Sequence, residues 1–160
     1  MQEKILRLLE NDGNYTNEQL ATMLDTTPQK IAEQIAKMRE KGIILKYSAI
    51  IDWEKTNREF VTARIELRVT PQRGEGFDKV AERIYQYPQV KSVYLMSGGY
   101  DLGVTIEGKT MKEVALFVAE KLAPMESVVS TKTHFVLKKY KQNGVIFCKP
   151  QKDERRVITL

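Results

Sequence analysis

Thr26-Thr27-Pro28-Gln29-Lys30-Ile31-Ala32-Glu33-Gln34-Ile35-Ala36-Lys37-Met38-Arg39-Glu40-Lys41-Gly42-Ile43-Ile44-Leu45 is a helix with both ends written into its residues, running out into an apolar, strand-like stretch. The Thr27 hydroxyl can accept from a free N–H of the first turn, and Pro28 suits the first helical position because its missing N–H would be unpaired there anyway. Gly42 is the matching stop. Ile31, Ile35 and Met38 recur at i, i+4 and i+7 as one buried stripe, so Gln29, Lys30, Glu33, Gln34, Lys37 and Lys41 are expected to face outward.

Working outward, Gln2 to Glu10 puts Ile5, Leu8 and Leu9 on one helical face and runs into the turn formers Asn11-Asp12-Gly13-Asn14. Thr16-Asn17-Glu18-Gln19 has capping-box spacing and opens a second helix with Leu20, Ala21 and Leu24 inward. Asp25-Thr26 leaves only a tight turn before the helix quoted above. Three short helices with this turn between the last two match a helix-turn-helix. Small trihelical cores also serve as plain structural or protein-binding units, so the pattern alone leaves DNA binding and that reading side by side.

Residues 1–46 hold seven basic and seven acidic side chains, a net charge of zero, so the segment that would touch DNA is not globally basic. Residues 136–160 hold seven basic and two acidic side chains and supply the excess behind the chain's +5. The single cysteine, Cys148, excludes an internal disulfide and a multi-cysteine metal site and points to a reducing, cytoplasmic setting. No run approaches the ~20 apolar residues of a membrane span.

Past residue 46 the chain turns β-rich, and residues 47–60 are expected to form a β-strand linker ending in a charged connector. Val61 to Thr70 alternates strictly between apolar and polar residues, a strand with one buried face. Glu75 to Tyr87 switches to helical spacing and stops at Pro88. Val90 to Met96 follows as a strand that looks buried on both faces, which hints at a partner sheet. Ser97-Gly98-Gly99-Tyr100-Asp101 turns the chain into a strand bearing Leu102, Val104 and Ile106. Thr110-Met111-Lys112-Glu113 reads as a second capping box before a helix burying Val114, Phe117, Val118 and Leu122, and a last strand is expected from about Val128 to Lys138. This order is the ferredoxin-like split βαβ unit, residues 61–141, an antiparallel sheet with both helices on one face. Its other face needs cover, most simply by self-association. Residues 142–160 make a basic C-terminal tail in which Val145-Ile146-Phe147 and Val157-Ile158-Thr159-Leu160 fit either an added strand pair or an ordered arm.

These residues resemble one known family, the Lrp/AsnC transcriptional regulators, over about Ile5 to Gly144. The resemblance rests on the pattern Thr27-Pro28, Ile31, Ile35, Met38, Gly42-Ile43-Ile44 joined to a βαββαβ unit. The Gly98-Gly99-Tyr100-Asp101 loop and Lys138-Lys139-Tyr140-Lys141 add to it. It implies an α+β chain: a winged-type helix-turn-helix domain followed by a ferredoxin-like ligand-sensing and oligomerisation domain. The chain departs from the family where relatives often carry several arginines along the reading helix; here Gln34 and Ala36 stand instead. The resemblance further implies binding to double-stranded DNA, homodimers that in such proteins often assemble into octamers, and an amino acid or related small molecule as effector. Carried over by position, Gly98, Gly99, Tyr100 and Asp101 match the effector loop, and Thr131 and Thr133 match hydroxyl-bearing positions of the last strand.

For the DNA reading, Thr27, Gln29, Lys30, Gln34 and Lys37 are the candidate contacts, since glutamine can pair with adenine and lysine with guanine or phosphate; a merely solvated helix face is the alternative. For the effector reading, Asp101 supplies an anion for an ammonium and the glycines free N–H groups for a carboxylate, against a plain hairpin turn. Neither a cofactor nor a metal site is expected. An enzyme, such as the siroheme-type tetrapyrrole decarboxylases of similar architecture, would lean on the single histidine, His134, for which the sequence offers no partner. A DNA-organising protein without an effector is a further alternative.

Overall fold

The computed structural model describes residues 1–70, 74 and 76–148. The expectation for Val157–Leu160, and the rest of the tail from residue 149 on, lies outside the described residues, as does Glu75. The chain divides into two compact units, Met1–Ile51 and Asp52–Leu160.

The first unit holds α1 (Gln2–Asn11), α2 (Asn17–Met23) and α3 (Pro28–Glu40). Its core is Ile5, Leu9, Leu20, Ala21, Ile31 and Met38, with Ile35 and Ile44 partly buried against it. The expected capping box of α2 is complete: the Thr16 hydroxyl accepts from the Gln19 N–H, and the Gln19 carbonyl oxygen accepts from the Thr16 N–H at 2.9 Å. Asp25 makes the turn into α3 in the left-handed region (φ 50°), which aspartate tolerates better than most residues, and the Thr26 N–H reaches back to the Ala21 carbonyl. At the far end of α3, Gly42 has φ 66°, its N–H bonds the Arg39 carbonyl, and the Ile43 N–H bonds the Met38 carbonyl at 2.8 Å. That is a complete Schellman stop, and it ties up carbonyls that would otherwise be unpaired.

The β-strand linker expected over 47–60 is not a strand: those residues contain only a 3₁₀ turn, Trp53–Lys55. Just beyond the helix stop, Ile44 packs into the helical core, Tyr47 lies against Gly13, and the Arg39 guanidinium sits 5.1 Å from the Tyr47 ring centroid, whereas Leu45, Ile50 and Ile51 stay exposed with no strand of the described residues beside them. β-Propensity without a neighbouring edge to pair with does not make a ladder.

The second unit holds β1 (Val61–Val69), α4 (Gly76–Tyr85), β2 (Val90–Leu95), β3 (Leu102–Gly108), α5 (Met111–Phe117, continued by a π-helical turn Val118–Leu122), β4 (Val128–Phe135), and a small hairpin β5 (Lys141–Gln142) and β6 (Val145–Ile146). The sheet is antiparallel in the order β2-β3-β1-β4, the ferredoxin-like arrangement. Ala63, Ile65, Leu67 and Val69 of β1 are buried with Val80 and Ile84 of α4 and with Val114, Phe117, Val118 and Leu122, as the alternation predicts. The second capping box is only half present. The Thr110 hydroxyl caps the Glu113 N–H, but the Glu113 carboxylate takes the N–H of Lys109 instead of that of Thr110. β2 also departs from expectation, since Tyr94 and Leu95 are 63% and 62% exposed and Met96 40%. The regular ladder of β4 ends at Phe135, three residues early. Among the described residues no helix is long and apolar enough to cross a membrane.

Candidate functional site

Two sets of residues carry the functional reading, one in each unit. On α3, Thr27, Gln29, Lys30 and Lys37 are exposed, and the Thr27 hydroxyl accepts from the Lys30 N–H, which fixes the start of the helix. Gln34 departs from the outward face. It is half-buried, and its side-chain oxygen accepts from Gln2 of α1 at 3.0 Å. It sits one residue before Ile35, on the flank of the buried stripe, where a neighbouring helix can reach it. The exposed residues of α3 are Gln29, Lys30, Ala32, Glu33, Ala36, Lys37, Arg39 and Glu40, a mixed-charge surface. On the adjoining helix the Glu18 carboxylate, in the first turn of α2, is held below the usual carboxylate range by its own backbone N–H and then by the Thr16 hydroxyl.

In the second unit the Gly98–Asp101 loop is fastened to the end of β1. The Asp101 N–H bonds the Leu67 carbonyl at 2.9 Å, its carboxylate Oδ2 accepts from the Val69 N–H at 2.7 Å, and its own carbonyl accepts from Met96. The Arg68 Nε donates to the Gly99 carbonyl at 3.2 Å. Asp101 is thus a structural tie as well as a candidate ligand group, a role that spacing alone could not reveal. The N–H groups of Gly98, Gly99 and Tyr100 make no hydrogen bond to the described residues, and a Cβ added at either glycine would meet nothing within 4 Å. Three consecutive donors stand free beside one carboxylate whose second oxygen, Oδ1, is unused, an arrangement suited to a carboxylate and an ammonium on one small molecule.

Thr131 and Thr133 are half-buried on β4, opposite Leu67 and Ile65 of β1. The Leu67 register links Leu102, just after the loop, to Thr131 across β1, so Thr131 stands at the loop's end of the sheet and Thr133 two residues farther in. Both threonines share the helix-covered side with Leu67. The sequence missed Arg68, whose hold on Gly99 needed the β1 register to be known. His134 lies on the opposite face, its Nε2 3.2 Å from a Glu66 carboxylate oxygen, a partner invisible in the sequence because 67 intervening residues are brought round by the fold.

The family described as Lrp/AsnC ligand binding domain matches residues 62–146, and that described as winged helix-turn-helix DNA-binding matches residues 1–44. The uncharacterized HTH-type transcriptional regulator YugG of Bacillus subtilis is 47% identical over 98% of this chain and 95% of its own length. The regulator FL11 of Pyrococcus horikoshii is 31% identical over 88% of this chain and 89% of its own. Among solved structures, a transcriptional regulator from Neisseria meningitidis in complex with L-methionine superposes with a TM-score of 0.71 at 23% identity, covering 88% of this chain and 90% of that one.

Proposed function

The chain belongs to the Lrp/AsnC family of helix-turn-helix, DNA-binding transcriptional regulators, and from that premise we propose how its own residues divide the work. The helix α3 reads the operator through Gln29, Lys30 and Lys37, with Thr27 fixing the helix start. Gln34 contributes chiefly by holding α3 to α1. An amino acid binds the second unit, its carboxylate on the N–H groups of Gly98, Gly99 and Tyr100, its ammonium near Asp101 Oδ1, and Thr131 and Thr133 flanking the side-chain end. The chain works as a homodimer or larger assembly and as a regulator, not an enzyme. The similar Neisseria regulator holds L-methionine, which supports an amino acid as the effector class.

The observation that carries this reading is a fully capped helix presenting an exposed polar face on a unit of zero net charge. Such a face contacts few phosphates, so its salt dependence is shallow and each lysine counts. DNA fragments recovered from the matching genome define the operator. On that operator, Lys30→Ala with Lys37→Ala lowers affinity and reduces the slope of log K against log salt by about 0.9 for each lost phosphate contact. An unchanged slope and affinity place the DNA contact elsewhere. Repeating the recovery with pooled amino acids tests the effector arm.

A further inference from the structure

The end of the sheet opposite the Gly98–Asp101 loop carries a second, separate cavity of about 380 Å³, set between the Asp52–Thr62 segment and the stretch that follows β4. That volume lies within the range of ordinary small-molecule pockets. The loop sits beside Val69, at the end of β1, whereas this cavity is lined by Val61 and Thr62, at its beginning. At ~3.3 Å per residue the length of the strand keeps the two roughly 25 Å apart.

Its walls have an unusual chemistry. The Arg58 guanidinium carbon lies 4.4 Å from the Trp53 ring centroid and 5.5 Å from that of Phe60, and the two rings meet edge to face. The Lys139 ammonium lies 5.7 Å from the Phe60 centroid and 5.6 Å from that of Phe147. Phe147 reaches this position because the Asn143-Gly144 turn, with both residues at positive φ, folds β6 back on β5, and its N–H then bonds the Tyr140 carbonyl. Two cations are thus fixed in place by aromatic faces. No carboxylate of the described residues pairs with either, although Glu54 and Glu59 also line the cavity; Asp52 is taken by Lys55 at 3.1 Å. A guanidinium held over aromatic rings still carries N–H donors that can meet an anionic acceptor.

The geometry points to a second ligand site in which Arg58 and Lys139 take the carboxylate of a small aromatic organic acid, with Trp53, Phe60 and Phe147 receiving its ring. An Arg fork matches a carboxylate in bidentate fashion, and the apolar walls favour a ring over a bare oxyanion. The site is independent of the amino-acid site proposed above and shares no residue with it.

Trp53 is the only tryptophan in the chain, so its emission reports on this wall directly. Phenylacetate titrated into the full-length protein produces a saturable change in that emission at up to millimolar concentration. Phenylacetamide, the uncharged analogue, and inorganic phosphate, which lacks the ring, bind at least about tenfold more weakly. Arg58→Gln weakens phenylacetate by about tenfold or more, the loss of a charge-assisted pair; Lys139→Gln weakens it less, and Thr131→Val leaves it unchanged. No saturable response to phenylacetate overturns the site, as does equal binding of phenylacetamide. Phosphate binding as tightly as phenylacetate overturns the aromatic-acid assignment. Loss of the response in Thr131→Val moves the ligand to the other end of the sheet. The comparison of the three probes uses the unaltered protein and stands even if a variant fails to fold.

Discussion

Asp101, a candidate ligand group, is also a tie of the fold. Its Oδ2 satisfies the Val69 N–H where the β1–β4 register shifts between Arg68 and Val69, a point at which the ladder leaves a donor without a strand partner. An ionised acceptor on a partly buried N–H is worth more than a neutral one, and removing it strands the donor. Asp101→Ala is expected to lower the stability of the sheet unit by about 1–3 kcal/mol, read by urea unfolding and by faster amide exchange at Val69. Loss of an effector response in this variant therefore needs that stability measurement beside it. Thr131→Val, which keeps the side-chain shape, is the cleaner probe of the proposed effector site. Gln34, a candidate contact on the outward face, also accepts a hydrogen bond from Gln2 within its own unit.

Among the elements, α3 is the most completely specified. Cap, N1 proline, buried stripe and glycine stop all agree, and the structure shows each in place, with the Schellman pair closing the end. Gly42→Ala forces an L side chain into the left-handed region and is expected to destabilise the helical unit by about 1 kcal/mol, visible as a lower thermal midpoint for loss of helical circular dichroism. The same substitution also disturbs the path that lays Ile44 and Tyr47 onto the helices, so operator affinity falls with it. β2 was legible as a strand but not in its environment. Its apolar residues are the same whether a helix, a second sheet or solvent faces them, and alternation reports which side a residue takes, not what covers that side.

For the whole molecule, the excess positive charge lies outside the helical unit. Residues 1–51 sum to zero, and in the homo-oligomer proposed above joining helical units would raise effective concentration without new contacts. The exposed apolar run Tyr94-Leu95-Met96, at the end of edge strand β2 and just past it, is a fitting place for such joining. Leu95→Asp with Met96→Asp is expected to shift sedimentation towards the monomer and to weaken operator binding by about tenfold or more, while the fold of each unit persists. Sedimentation unchanged from the parent protein assigns self-association to another surface. The sequence by itself determined the capped helices, the alternating strands and the βαββαβ order, because caps, periodicity and turn residues act between positions a few residues apart. It also marked the Gly98–Asp101 loop, through its residue types and their likeness to a family. Only the tertiary structure decided that Ile44 and Tyr47 pack on the helical unit, that Asp101 ties β1, that Glu66 meets His134, and that Arg58 and Lys139 both lie over the Phe60 ring. Each of these joins residues distant in the chain or settles a competition between neighbours, and the contact energies that decide such outcomes exist only once the chain has closed on itself.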